Sequence, residues 1–506
     1  MLDMPNSAFN QIPADLRVSG TFIEIDGSAA ANPSLTTQAL IIGQRLASGS
    51  AEVGEAILVE GQGATAGALF GRGSMLAAMV RAFRANNQTI PLYAIPLNDG
   101  TGARAEAAIT VTGTATAAGV ITLWIGGASI RSIGDSRVQV GVASGDAAAT
   151  IRAAIVAAVN ASLDQPVTAT IADDTVTLTA KHAGLIFNEL RVQVNLAGKI
   201  GGEEMPPGIQ IVTPGYFSGG SGAPDISGAI AAMGDVAYDT IIMPYTDAAS
   251  LSAIEAEMAD RWGPGRQLYG LVYSARNGTL SELTAFGKSR NSQYVSVLAG
   301  YDRPGPGYLA AARVGAVVGA ALFNHPARAL VGLELIGEQA EPKTSELTLS
   351  DKNQLLWSGL SILDRQQGNI VAANRIITTY QLNSAGDNDE AYLDVTTLAT
   401  LARLARELKF ILNSRYVLRR SVLVEDGDSV APGIPLCSPR LAKGTLIEHY
   451  KTLALQAFVE NVEGFAERLK VSKVGTRLNV LYAPDLGNPL YTVAAQIQFY
   501  LDFTTY

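Results

Sequence analysis

One cysteine, Cys437, stands in a chain of 506 residues. A lone thiol excludes an internal disulfide framework and any multi-cysteine metal cluster. Histidine is nearly as scarce: His182, His325 and His449 lie far apart and share no ligand spacing. Neither His-Glu-x-x-His nor Cys-x-x-Cys occurs, which removes the common zinc motifs. Charge is thin as well, 16% of residues, against about 25% in average domains. Lys and Arg number 37 and Asp and Glu 46, giving a formal net charge of −9. A nucleic-acid binder needs a basic excess or stripe, so no direct contact with nucleic acid is expected. No run of about 18 uninterrupted apolar residues is present, so no membrane span is expected. The opening MLDMPNSAFNQIPADLRV lacks the basic and apolar regions of a secretory signal. What the chain does have is apolar and small: 48% hydrophobic residues, 51 glycines and a mean hydropathy of +0.19. That is enough for several cores, and at about 150 residues per domain the length gives three or four domains. So much apolar character on so few charges points to surface covered by neighbours.

The pattern along the chain indicates an α/β and α+β multidomain fold. Residues 1–20 read as an extended arm, and 21–98 as the first part of a body. This part has strands at Thr21–Asp26, Ala39–Gly43 and Ile90–Leu97. Leu69, Leu76, Met79, Val80 and Phe83 recur at helical steps, predicting one helix over 69–85 with Ser74 near its start as a cap. From Asn98 the composition turns to Thr, Val, Ala and Gly, predicting an inserted β-rich α+β module at 99–197. Its one helix lies near 147–161 and is capped by Asp146, with a loop at 198–222. Strands at 235–243, 267–273 and 294–298 alternate with helices at 247–261 and 279–286. These are βαβ units, so a largely parallel sheet is expected in an α/β domain at 198–345. The small-residue helix 310–323 reads as too short to span a membrane. In a C-terminal domain at 346–489, two long helices are expected. One carries Leu398, Leu401, Ala405, Leu408 and Leu412 and is capped by Asp394; the other runs from Thr445 to Leu469. From Tyr491 to Phe503 apolar residues occupy every odd position, among them Val493, Ile497, Phe499 and Leu501. A strand of that length, about 43 Å, needs a partner edge from its own sheet or from another subunit. The arm at 490–506 is therefore a candidate assembly element, as are Ile12, Leu16 and Val18 of the N-terminal arm.

Catalytic chemistry finds little support. No Gly-x-Ser-x-Gly elbow is present, and Cys437 between two prolines reads as packing. Gly287-Lys288-Ser289 ends like a phosphate-binding loop. The glycine that such a loop requires five residues earlier is Glu282, and the fragment follows a helix pattern, so Gly287 reads as a C-cap. Gly61, Gly63 and Gly67 miss the dinucleotide fingerprint by one residue. No catalytic residue, cofactor or metal is expected.

One stretch is more specific. NRIITTYQLNSAGDNDEAYLDVTTLATLARLARELK, residues 374–409, resembles the signature of contractile-tail sheath proteins, with Arg375, Thr378, Thr379, Tyr380, Asp389, Tyr392, Leu393 and Asp394 at the matching positions. Residues 324–342, 355–370 and 459–471 also fit, and 12–26, 69–87 and the module at 100–196 resemble the Mu-like branch of myophages. In segment 324–342, Asn324-His325 replaces an acidic residue and Ala329 a proline. The resemblance implies a non-enzymatic structural subunit of the virion tail, made in the host bacterial cytoplasm. Subunits of this family form stacked hexameric rings around an inner tail tube, with baseplate and tail terminator proteins as further partners. Contraction drives the tube through the host envelope. It also implies that terminal arms add strands to neighbouring subunits, that the inserted module lies on the exterior, and that helix 445–470 is a candidate for tube contact. Two other readings remain open at this point: a P-loop-like nucleotide hydrolase resting on Lys288, and a self-assembling shell or adhesin protein.

Overall fold

The computed structural model describes residues 37–61, 63–126, 137–428 and 433–499. The N-terminal arm and the expected strand Thr21–Asp26 lie outside them. The described chain forms two compact units: 37–399 together with the C-terminal stretch from Asn488, and 400–487.

The body is organised by a six-stranded sheet in the order Val295–Gly300, Leu271–Asn277, Thr240–Ile242, Ala39–Gln44, Leu92–Leu97, Ile57–Leu58. Its first five strands run parallel, and the short Ile57–Leu58 pairs antiparallel at the edge. The sequence explains the arrangement. Ala39–Gly43 and Val295–Gly300 are continuous small or apolar runs, and every residue in both strands, Gln44 included, is buried, as strands covered on both faces require. Helices Met75–Asn86 and Gly307–Asn324 pack on each other and on the sheet. The second lies very close to it: a Cβ at Gly315 would sit 2.6 Å from Ile242 Cγ1, and one at Gly319 would sit 2.6 Å from Thr240 Oγ1. That helix has 18 residues, more than the sequence pattern indicates, and meets a membrane span in length and apolarity. Its buried face on the sheet accounts for the composition.

Several local expectations differ from the structure. The helix expected over 69–85 is two, Ala66–Phe70 and Met75–Asn86, because Gly71 (φ +87°) and Gly73 (φ +80°) turn the chain between them. Ser74 does cap the second, accepting from Ala77 N–H. Asp146 is not the cap of Ala148–Ala161; its carboxylate instead accepts from Ala143 N–H, back along its own turn. Gly287 is inside the helix Leu280–Lys288 and Ser289 is its C-cap. A small residue is needed there because a Cβ would approach Ser358 O to 2.1 Å.

The inserted region holds two antiparallel sheets. One has the order Ile209–Val212, Arg104–Gly113, Thr175–Ala183, Val167–Ala172; the other is Arg137–Val142, Gly119–Ile125, Val192–Val194. Arg104–Gly113 alternates exposed and buried residues, so one face meets the helix Ala148–Ala161 through Ile151, Ile155 and Val159. The expected loop 198–222 contains Ile209–Val212, which completes the first sheet. Entry and exit run side by side: Cβ atoms at Gly100 and Gly102 would meet Ala223 O and Ser221 O at 2.2 and 1.9 Å.

In the unit 400–487 a small core gathers Leu404, Leu446, Tyr450, Leu453, Phe458, Val459, Phe465 and Leu469. Tyr450 and Phe465 stack at 3.7 Å, and Tyr482 meets both edge-on. The long helix expected over 445–469 is broken. Pro439–Leu455, capped by Ser438, gives way to a turn with Ala457 at φ +57°, the strand Val459–Glu460, then Asn461 at φ +53° and the helix Val462–Arg468. No Gly or Pro marks that break in the sequence. A hairpin, Lys470–Val474 with Arg477–Leu481, follows. Cys437 is buried beside Tyr416 and Ala442, and burial raises its thiol pKa, the setting of a packing residue.

Candidate assembly site

The signature begins where the strand Ile370–Arg375 leaves its antiparallel partner Ile362–Gln366. Arg375 meets Asp394 as a fork, with Nε to Oδ1 at 3.2 Å and Nη2 to Oδ2 at 3.0 Å. Burial opposes the Arg375 charge, but Asp394 more than compensates, and the guanidinium pKa is raised. Thr378 N–H donates to Leu393 O and its hydroxyl to Tyr392 O, both at 2.7 Å, which closes the loop between them. Thr379 fastens the same turn to the sheet edge: its N–H donates to Val295 O at 2.9 Å and its hydroxyl to Ser292 O at 3.1 Å. Tyr380 hydroxyl donates to Asp389 Oδ2 at 2.5 Å, and its ring meets Tyr392 edge-on at 5.4 Å. The Asp389 bond raises the phenol to about 12 and lowers the carboxyl. Each signature residue is thus spent on holding its neighbours, and none is paired as nucleophile and base.

Beside the signature is a cleft of about 760 Å³ whose lining includes Lys288, Arg290, Trp357, Arg375, Tyr380 and Asp389. It does not make the phosphate site that Gly287-Lys288-Ser289 raised. Those residues end the helix Leu280–Lys288, whereas a phosphate sits at a helix start. The start of this helix is occupied by a carboxylate, Glu282, in a capping box with Thr279. Two cleft cations are also already matched, Arg290 by Glu255 and Arg375 by Asp394. No group of three or more metal-ligating side chains occurs among the described residues.

The C-terminal segment behaves differently. Through Phe499 it carries no ladder to any described strand. Leu490, Val493, Ile497 and Phe499 are 72, 76, 90 and 77% exposed. Tyr491 is drawn in: its ring lies 4.8 Å from the Arg375 guanidinium, and its hydroxyl is beside Thr396 and the Leu330 backbone. Burial, then the Asp394 charge, raise it to about 12. The structure therefore brings together Tyr491, Arg375 and Asp394 out of the sequence-read residues. Leu501, Phe503, Ile12, Leu16 and Val18 lie outside the described residues.

Against known proteins, residues 219–379 match the family described as phage tail sheath protein central domain. The Mu-like prophage FluMu tail sheath protein of Haemophilus influenzae is 36% identical over 501 residues, 98% of this chain and 99% of that one. The chain belongs to the phage tail sheath proteins. Solved structures with likeness to it include the crystal structure of a sheath tail protein from Desulfitobacterium hafniense. It has 15% identity and a TM-score of 0.48, covering 93% of this chain and 97% of that one. The anti-feeding prophage helical sheath in its contracted state has 10% identity and a TM-score of 0.47, covering 96% and 99%. As a sheath protein the chain is a structural component of a phage tail and not an enzyme, which sets aside the hydrolase reading of Lys288.

Three clusters in this sheath protein gave no sequence signal. His182, from the inserted region, is buried with Nδ1 2.6 Å from Asp99 Oδ1, and its Nε2 accepts from Met75 N–H at 3.2 Å. Asp99 also accepts from Gln44 Nε2 at 2.8 Å and Ala183 N–H at 3.1 Å. Glu189, likewise inserted, accepts from Gly307 N–H at 2.6 Å and so caps the helix Gly307–Asn324 of the body. Burial raises its carboxyl against those bonds. Glu338, inside the 324–342 segment, is buried beside Arg313 and Arg303. Each is a lone charge in sequence and gains meaning only from residues 25 or more positions away.

Proposed function

We propose that this sheath protein is the contractile subunit of a tail, assembling with identical copies as stacked hexameric rings around an inner tail tube. Baseplate and tail terminator proteins bound the stack, and contraction drives the tube through the host envelope. The observation that carries the reading is the C-terminal segment, whose apolar side chains at 490, 493, 497 and 499 are exposed and which pairs with no described strand. A neighbouring copy supplies that edge, since strand addition satisfies the backbone and covers one face. The N-terminal arm, with Ile12, Leu16 and Val18, takes part in the same exchange, as do Leu501 and Phe503. Shared strands keep the lattice connected while bodies move between two packings, so no nucleotide is needed. The inserted module, on this reading, faces outward, and the helices between 439 and 468 face the tube. The subunit is made in the host cytoplasm and works in the virion tail.

Negative-stain microscopy of the purified protein tests this. Tubular polymers are expected from the full chain. Removing 490–506 should leave a folded, soluble subunit that forms none. Tubes unchanged by that truncation would overturn strand sharing, and a monomer under all assembly conditions would overturn the sheath subunit itself.

A further inference from the structure

We propose that Arg375, Asp394 and Tyr491 form a latch that fixes the root of the exported C-terminal segment, so that only residues beyond 491 reach a second copy of this chain. The inference rests on the strand-sharing reading above and adds how the shared strand is measured out. Three separate parts of the chain meet at the latch: the end of the strand Ile370–Arg375, the residue before the helix Val395–Leu412, and the C-terminal segment. One edge of the guanidinium is held by both oxygens of Asp394, and its Cζ lies over the Tyr491 ring, 4.8 Å from the centroid. Arginine suits both tasks because its planar fork matches a carboxylate while its face stacks on an aromatic ring. The burial of Tyr491 is local. Leu490 before it and Val493 after it are 72 and 76% exposed, so the stretch around Tyr491 is not covered while its own side chain is held.

A fixed root has a consequence for spacing. Upstream, Gly487 N–H donates to Phe458 O at 3.0 Å, so losing the Tyr491 contact frees at most the residues between the two. The exported strand would then begin up to four residues earlier and gain at most about 13 Å of slack, at about 3.3 Å per residue. In a lattice connected by shared strands, that slack loosens the distance between a subunit and the copy holding its strand. The signature arginine and aspartate thus act as positioning residues for assembly.

The test uses the full chain. Chymotrypsin cuts after aromatic residues, and the ratio of cleavage after Tyr491 to cleavage after Phe499 is read by mass spectrometry on the unassembled subunit. Wild type should be cut after Phe499 at least tenfold faster. Arg375→Lys, which keeps the charge but loses the fork and the stacking plane, should bring the two rates within about threefold while circular dichroism stays unchanged. Equal rates in wild type, or an unchanged ratio in a folded Arg375→Lys protein, would overturn the latch. In assembled tubes, Tyr491→Phe should keep the wild-type axial repeat and Tyr491→Ala should blur it. A wild-type repeat in Tyr491→Ala would also overturn the latch. Tubes that survive removal of 492–506 would instead overturn strand sharing, leaving the cleavage ratio to judge the latch separately.

Discussion

The strand Ala39–Gln44 and the segment 491–499 are both apolar stretches, and the fold treats them in opposite ways. In the first, Ala39, Leu40, Ile41 and Ile42 are fully buried, with a parallel strand on each side. In the second, Val493, Ile497 and Phe499 stand in solvent with no described strand beside them. Their patterns already differ. A continuous apolar run asks for cover on both faces, which a sheet centre and its helices give. Strict alternation asks for cover on one face only, and the isolated chain leaves even that face open. Hydrophobicity alone does not say where a segment goes; its period says how many faces must be met, and the remainder of the chain says whether they are.

The largest expected effect separates the two directly. Ile41→Asp places an unpaired carboxylate in the sheet centre and should cost about 4 kcal/mol or more, giving insoluble protein. Ile497→Asp should leave the thermal midpoint of the subunit unchanged while abolishing tubes in electron micrographs. A smaller contrast lies within one helix. Gly287→Ala drives a Cβ onto Ser358 O and should lower stability by about 2 kcal/mol in urea unfolding. Its neighbour, Lys288→Ala, should stay within about 0.5 kcal/mol and assemble normally.

The smallest effect tests the tie between insertion and body. Burial would raise the Asp99 carboxyl, but the hydrogen bonds from His182, Ala183 N–H and Gln44 outweigh it and hold it below its ordinary 3.8. A lowered folded pKa means that the folded state binds fewer protons. The contribution of Asp99 is therefore present above pH 3.8 and is lost as pH falls through the lowered value. Asp99→Asn should reduce stability at pH 7 by about 1.5 kcal/mol, and the deficit against wild type should shrink in unfolding curves taken near pH 3. A deficit that persists unchanged in acid would show that the tie is packing and not charge.

Much of the fold was legible because its signals are local. The body strands followed from apolar runs, Ser74 from its place just before a helical period, and the parallel sheet from alternating strand and helix. What escaped the sequence is non-local. Gly287 looks like a helix stop, and only the backbone of Ser358 shows why it is glycine. The turn at Ala457 and Asn461 uses left-handed residues that carry no punctuation in the sequence. The signature could be seen in the chain, yet the pairing of Arg375 with Asp394 and the ring of Tyr491 over it required three distant stretches to meet.

The adjoining entry and exit of the inserted region bear on how such tails diversify. Gly102 and Ser221 lie almost in contact, so a gene that lost or exchanged the intervening codons would still join chain ends that already touch. Geometry therefore permits replacement of the module as a unit by recombination. The body sets terms for the newcomer, because Glu189 and His182 leave with the old one: something must again cap the helix at Gly307, and something must again answer Asp99 and the amide of Met75.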